Sequence, residues 1–339
     1  MKQDFPVLSG CTYLDTASSG ILTQSLADWR RAHDQEFLLQ GSAFRIGQQD
    51  FLDGVRSTVA RFFGASHENT FLVPNYSFGF NSVITMLSPV HRVLVLKDDY
   101  PSLLNPFKTA GLPVKELEVD RDLPSTLYAA IREFKPTVFA FSLVQYVSGL
   151  RLDAEWVKSI KKDFPDLLLL ADGTQCCGTE AINFEHSGLD MLGASGYKWM
   201  LAGYGNGFVL LSDQLMSVLQ AEHLRMVMEP GHLDTLNFGS LQESIKHLEG
   251  FGMEVVQKSV RELSGAAHEA FSDMGLLKGA AGEYAFHSQI FNLKISRPMH
   301  RRLLAEKIAC MERGDGTRVG FHFYNDRDDL EHLLNVLKT

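Results

Sequence analysis

The chain has little that could staple, anchor or specially charge it. Only four cysteines occur in 339 residues, Cys11, Cys176, Cys177 and Cys310. Two are adjacent, and the spacing fits neither a disulfide framework nor a zinc site. Free thiols in a reducing compartment are the simpler reading. No apolar stretch approaches the ~20 residues of a membrane span. The longest lie near 137–144 and 167–171. The opening Met1-Lys2-Gln3-Asp4-Phe5-Pro6 leads into no apolar segment, which argues against a signal peptide and for a cytoplasmic protein. Basic residues form no stripe: 32 stand against 41 acidic ones, for a net charge of −9. Nucleic acid and anionic membrane are therefore not expected as partners. There is no internal repeat and no low-complexity tract. What remains is ordinary globular composition, 45% hydrophobic and 22% charged, long enough for roughly two domains.

The middle of the chain alternates between strand and helix patterns. Apolar runs of strand length occur at 93–96, 137–142, 167–171, 191–195 and 208–211, and 114–119 alternates with period two. Helical patterns fall between them at 101–110, 123–134 and 153–162. Fully apolar strands separated by helices predict an α/β fold with a mostly parallel sheet covered on both faces. Such sheets bind ligands at the carboxyl ends of their strands. Ser142, Asp172 and Ser195 occupy such ends. From about residue 234 the pattern changes. One long amphipathic helical stretch is expected through 241–274, then a strand at 291–295, a helix near 300–311, a strand at 317–323 and a final helix starting at Asn325-Asp326. A large domain over 16–236 and a smaller α+β domain from 1–15 and 237–339 follow.

The chemistry concentrates on Lys198. It lies in Ser195-Gly196-Tyr197-Lys198-Trp199, ahead of the turn Gly203-Tyr204-Gly205-Asn206-Gly207. Upstream, Asp172 closes the run 167–171 and opens Asp172-Gly173-Thr174-Gln175. An acid at the end of a buried strand and a lysine on the next turn suit pyridoxal 5'-phosphate (PLP). The amine forms a Schiff base with the cofactor aldehyde, and the carboxylate keeps the pyridine nitrogen protonated. Phosphate should be held by backbone N–H groups at a helix start and by hydroxyls, as Asn75-Tyr76-Ser77-Phe78-Gly79 could supply.

These segments resemble the class V aminotransferases of the fold-type I PLP enzymes. That family also holds cysteine desulfurases, selenocysteine lyases, kynureninases and isopenicillin N epimerase-like proteins. The likeness runs from Tyr13-Leu14-Asp15-Thr16-Ala17-Ser18 to Tyr324-Asn325. It implies Lys198 as Schiff-base lysine and proton shuttle, and Asp172 as pyridinium partner. Gln175 is then the residue bonded to the ring hydroxyl. Tyr76, Ser77 and Ser195 are implied phosphate ligands, and Thr235 a ligand to the phosphate of a neighbouring subunit, hence a homodimer. Tyr100, where many relatives carry histidine, would stack on the ring, with Gln145 near the ring hydroxyl. Arg318, in Thr317-Arg318-Val319-Gly320, matches the arginine that grips the substrate carboxylate bidentately. Tyr197 stands where many relatives have histidine.

Reaction type is not fixed by these residues. An aminotransferase-like reaction on a small amino acid or keto acid is favoured. Cysteine desulfurase, selenocysteine lyase, amino-acid epimerase and a PLP-binding protein with little catalysis are the alternatives. A desulfurase needs an exposed, low-pKa cysteine on a mobile loop. Cys310 precedes Arg318 too closely for that and reads as structural, as do Cys176 and Cys177. Other motifs fail. Ser195-x-x-Lys198 lacks the S-D-N and K-T-G partners of the penicillin-recognising enzymes, Asn75 spoils a G-x-S-x-G elbow, and Gly203-x-Gly205-x-Gly207 is too compact for a dinucleotide fingerprint.

Overall fold

A computed structural model describes residues 2–120, 122–219, 223–277 and 287–338. Strands β1–β12 span Thr12–Tyr13, Thr70–Val73, Val93–Leu96, Val114–Leu117, Val138–Ser142, Leu168–Asp172, Met191–Ser195, Gly207–Leu211, Ile290–Leu293, Ile308–Ala309, Met311–Arg313 and Gly316–Gly320. Helices α1–α12 span Gln24–Gln40, Gln48–Phe63, Tyr76–Met86, Pro101–Thr109, Leu123–Phe134, Ala154–Asp163, Asp213–Val218, Leu224–Met228, Thr235–Phe251, Met253–Asp273, Arg297–Ala305 and Arg327–Leu337.

Seven strands form the main sheet in the order β2-β8-β7-β6-β5-β3-β4. All neighbours run parallel except β8, which is antiparallel to both β2 and β7. β5, β6 and β7 are buried at every residue, which is why they read as unbroken apolar runs. Their pleat sorts alternate side chains to opposite faces. Phe139, Phe141, Leu169 and Ala171 pack on one side with Val55, Val59 and Val157. Val138, Ala140, Leu168 and Leu170 pack on the other with Phe80, Val83 and Phe107.

A third core joins β9 and β12, the end of α10, α11 and α12, through Phe271, Phe291, Val319 and Leu333. The three-stranded sheet here runs β11-β12-β9, and β1 pairs in parallel with β10. The expected helix over 241–274 is two helices. Gly252, at φ +83, ends α9 and starts α10, a conformation that costs glycine nothing. α9 packs on α2 and α1, so Phe238, Leu241, Ile245 and Leu248 belong to the core of the large sheet. α10 is shared: Val256 and Val260 join that core, whereas Leu263, Ala267 and Phe271 join the third. The helix expected over 300–311 stops at Ala305, after which Lys307 takes a left-handed φ of +60 and the chain enters β10.

Candidate active site

The ends of β5, β6 and β7 and the start of α3 surround a cavity of about 400 Å³. Seven of the expected site residues line it: Tyr76, Ser77, Tyr100, Asp172, Gln175, Ser195 and Lys198.

The lysine turn is fastened from several sides. Gly20 N donates to Tyr197 O at 2.7 Å, and Leu201 N to Lys198 O at 3.1 Å. Trp199 Nε1 donates to Gln175 Oε1 at 2.7 Å. His322 Nδ1 accepts from Phe323 N, so its Nε2 carries the proton and donates to Trp199 O at 2.8 Å. Gly20 has no room for a side chain, since a β-carbon there would overlap the Lys198 carbonyl oxygen. The turn therefore delivers Lys198 into the cavity, where it is only 7% exposed. Burial pulls its amine down to about 8, against the opposing charge of Asp172. The amine lies 5.7 Å from the Tyr100 ring centre and 5.5 Å from that of Tyr197.

Asp172 ends β6 and is 5% exposed. Burial pushes its carboxyl up to about 6, while a 2.8 Å bond from Thr174 N and the charge of Lys198 act the other way. A buried carboxylate held this way gains from a cationic partner.

At the other end of the cavity, Asn75 caps α3 by accepting from Phe78 N at 2.9 Å. Tyr76 N donates to Ser195 Oγ at 2.9 Å, stitching the helix start to the end of β7. Ser77 also lines this end. A helix N-terminus flanked by hydroxyls favours an anion. The Tyr76 ring stacks on Phe80 at 5.2 Å, and its buried hydroxyl has no hydrogen-bond partner among the described residues. Tyr76 thus contributes its backbone to the helix start, and its ring to the floor. Gln175 lines the cavity but has spent much of its amide: Oε1 on Trp199 and Nε2 on Ala17 O at 3.1 Å.

Three expected residues do not line the cavity. Gln145 braces a loop, its Oε1 accepting from Val147 N, Ser148 N and Ser148 Oγ, and its Nε2 donating to Asp98 O at 2.8 Å. Arg318 sits in β12 with its guanidinium on Tyr146 O at 2.8 Å and Ser18 Oγ at 2.6 Å, and 3.8 Å from Asp15. It lies near enough to depress the Lys198 amine, and its buried Nε has no acceptor among the described residues. Thr235 faces a different cavity of about 510 Å³ and bonds His33 Nε2 at 3.0 Å.

Several lining residues escaped the sequence reading. Tyr146 meets Tyr100 edge-on at 5.2 Å, and Tyr204 stacks on Tyr197 at 4.8 Å. Thr174 completes the floor together with Ser142, which the strand-end pattern already places there. Tyr197 and Tyr204 share the connection between β7 and β8, whereas Tyr100 and Tyr146 come from two other loops, so no single spacing rule links the four. None of the four cysteines lines the cavity.

The sequence profile of the class-V aminotransferases matches residues 42–333. The chain belongs to that family. It is 20% identical to the uncharacterised aminotransferase YcbU of Bacillus subtilis, over 99% of this chain and 96% of that protein. Among solved structures it resembles the apo cysteine desulfurase of Thermococcus onnurineus, with a TM-score of 0.86, 16% identity, and 99% and 96% of the two chains covered. It also resembles the cystine C–S lyase C-DES bound to its product cysteine persulfide, with a TM-score of 0.86, 17% identity, and 98% of each chain covered. These likenesses establish the fold-type I architecture. This class-V member is an enzyme of a PLP-dependent family, and no helix among the described residues is long and apolar enough to cross a membrane.

Proposed function

We propose that the chain is a PLP-dependent aminotransferase acting on a small amino acid. The observation that carries this reading is the convergence, in one cavity, of a buried amine pulled down to about 8, a buried carboxyl pushed up to about 6, and a hydroxyl-flanked helix start. The donor set fits the cofactor at each end. Lys198 would hold it covalently, Asp172 would face its ring nitrogen, Tyr100 would cover its ring, and Ser77, Ser195 and the amides of α3 would take its phosphate. Bound there, PLP supplies an electron sink for negative charge at substrate Cα. Lys198 Nζ moves the Cα proton as general base and acid. Asp172 would keep a positive charge on the ring nitrogen, and Arg318, outside the cavity wall, would have to exchange its bonds to Tyr146 O and Ser18 Oγ to reach a substrate carboxylate. A half-reaction screen tests this: each amino acid is added to the loaded enzyme, and keto acid, alanine and sulfide are measured. Keto acid formation with loss of the cofactor absorbance band is expected. Borohydride reduction should leave a covalent adduct at Lys198, and an adduct surviving in Lys198→Ala sinks the assignment.

One observation favours a second reading. With no cysteine on the cavity wall, a desulfurase that attacks substrate sulfur has no nucleophile to use. A C–S lyase needs none, so sulfide or persulfide release without a protein-bound persulfide would select it.

Other expectations extend this reading. A homodimer is supported by the exposed Phe37, Leu38, Leu39 and Ile46, which lie beside the Thr235 cavity, an apolar surface that a second copy would cover. The division into 16–236 and 1–15 with 237–339 is supported at its first boundary by the pairing of β1 with β10. The packing of α9 on the large sheet favours moving the second boundary into α10. A cytoplasmic location is supported by four free thiols.

A further inference from the structure

Beside the cavity the fold buries a second carboxylate. Asp99 is 4% exposed and follows β3. Its Oδ1 accepts from Tyr100 N at 2.7 Å and from Ser142 Oγ at 2.5 Å, and its Oδ2 accepts from Ser142 N at 2.8 Å. The residue before it, Asp98, stands at a left-handed φ of +58, a conformation that a non-glycine residue holds only when its surroundings impose it. The Asp98 carbonyl is tied by Gln145 Nε2, and the other end of the Gln145 amide is anchored by three donors in its own loop. Two side chains thus clamp the turn between β3 and α4 to the end of β5 and the loop after it.

The clamp carries one residue that faces Lys198, namely Tyr100. Its amide is held by Asp99, and its ring meets Tyr146 edge-on. A buried carboxylate is unfavourable unless fully hydrogen-bonded. An asparagine could cap Tyr100 N, but its amide nitrogen would then confront the Ser142 N–H, donor against donor. Only a group with two accepting oxygens satisfies all three donors. The charge is therefore retained for geometry at this turn.

We propose that Asp99 is a positioning residue that fixes the Tyr100 ring against the Lys198 amine, and so sets how a cofactor ring is covered. This inference rests on the PLP reading above. A double-mutant cycle tests it, using PLP affinity of the cofactor-free protein and the induced visible circular dichroism of the bound chromophore. Asp99→Asn and Tyr100→Ala should each weaken PLP binding about tenfold, the scale of a lost aromatic contact, and both should diminish the dichroic band. Because Asp99 acts through Tyr100, the double variant should bind within about twofold of Tyr100→Ala alone. Independent effects, multiplying to about a hundredfold, overturn the proposal. So does Asp99→Asn with unchanged affinity and dichroism. If Asp99→Asn does not fold, Ser142→Ala takes its place in the cycle; it removes one bond to the same carboxylate and should produce a smaller change of the same kind, again absent on the Tyr100→Ala background. Wild-type protein that forms no reducible link at Lys198 refutes the functional reading, an outcome distinct from additivity in the cycle.

Discussion

Mixing cofactor-free protein with pyridoxal phosphate at a series of pH values probes the Lys198 amine directly, because only the neutral amine attacks an aldehyde. Burial moves this amine from its ordinary 10.5 to about 8, with Asp172 opposing part of the shift. Near pH 7, an amine titrating at about 8 is neutral in about one molecule in ten, and an unshifted lysine in about one in three thousand. At equal access, the buried site should capture the aldehyde about 300-fold faster than a surface lysine. Stopped-flow absorbance at the visible band gives the rate constant. It should climb about tenfold per pH unit below about pH 8 and level off above it. Asp172→Asn removes the anion that favours the charged amine, so the plateau should begin at lower pH. A rate still climbing beyond about pH 9.5 in the wild type, where only a solvated lysine would remain protonated, refutes the desolvation argument.

Three further outcomes are expected. Gly20→Ala places a methyl group against the Lys198 carbonyl oxygen; the overlap should cost about 1–3 kcal/mol of stability and weaken PLP binding, and a variant with wild-type melting temperature and affinity contradicts the geometry. His322 is buried and neutral, its pKa pushed down to about 3 by burial. The unfolded chain takes up this proton below about 6.5 while the fold does not, so stability falls as pH drops through that window. Urea midpoints at about pH 7 and pH 5 should differ less in His322→Phe than in the wild type, although the variant loses the bond to Trp199 and is less stable at both. Leu38→Asp with Leu39→Asp should shift the molar mass seen by light scattering toward the monomer, and an unchanged mass places the interface elsewhere.

Local chemistry made much of this legible in the sequence. The runs ending at Ser142, Asp172 and Ser195 are strands because a strand buried on both faces must be apolar throughout. Asp172 and Lys198 stood out because a charge at or just beyond the end of such a run costs free energy to bury unless a partner or a reaction uses it. The break at Gly252 was missed because the apolar spacing continues across it, and a left-handed glycine leaves no mark on periodicity. The bracing role of Gln145 was not legible for a related reason. Its position in the chain lies close to the cavity, but whether an amide faces a ligand or braces its own loop depends on which donors surround it.

The sequence by itself determined the alternation of strands and helices, the buried acid and amine, and the absence of a staple or an anchor, since each follows from residues that are neighbours along the chain. Only the tertiary structure decided that tyrosines from three separate loops wall the cavity, that the cysteines stay out of it, that Thr235 opens elsewhere, and that Asp99 locks the turn bearing Tyr100. Those facts depend on contacts between segments far apart in the chain, whose distances and directions are set by the packing of the whole sheet.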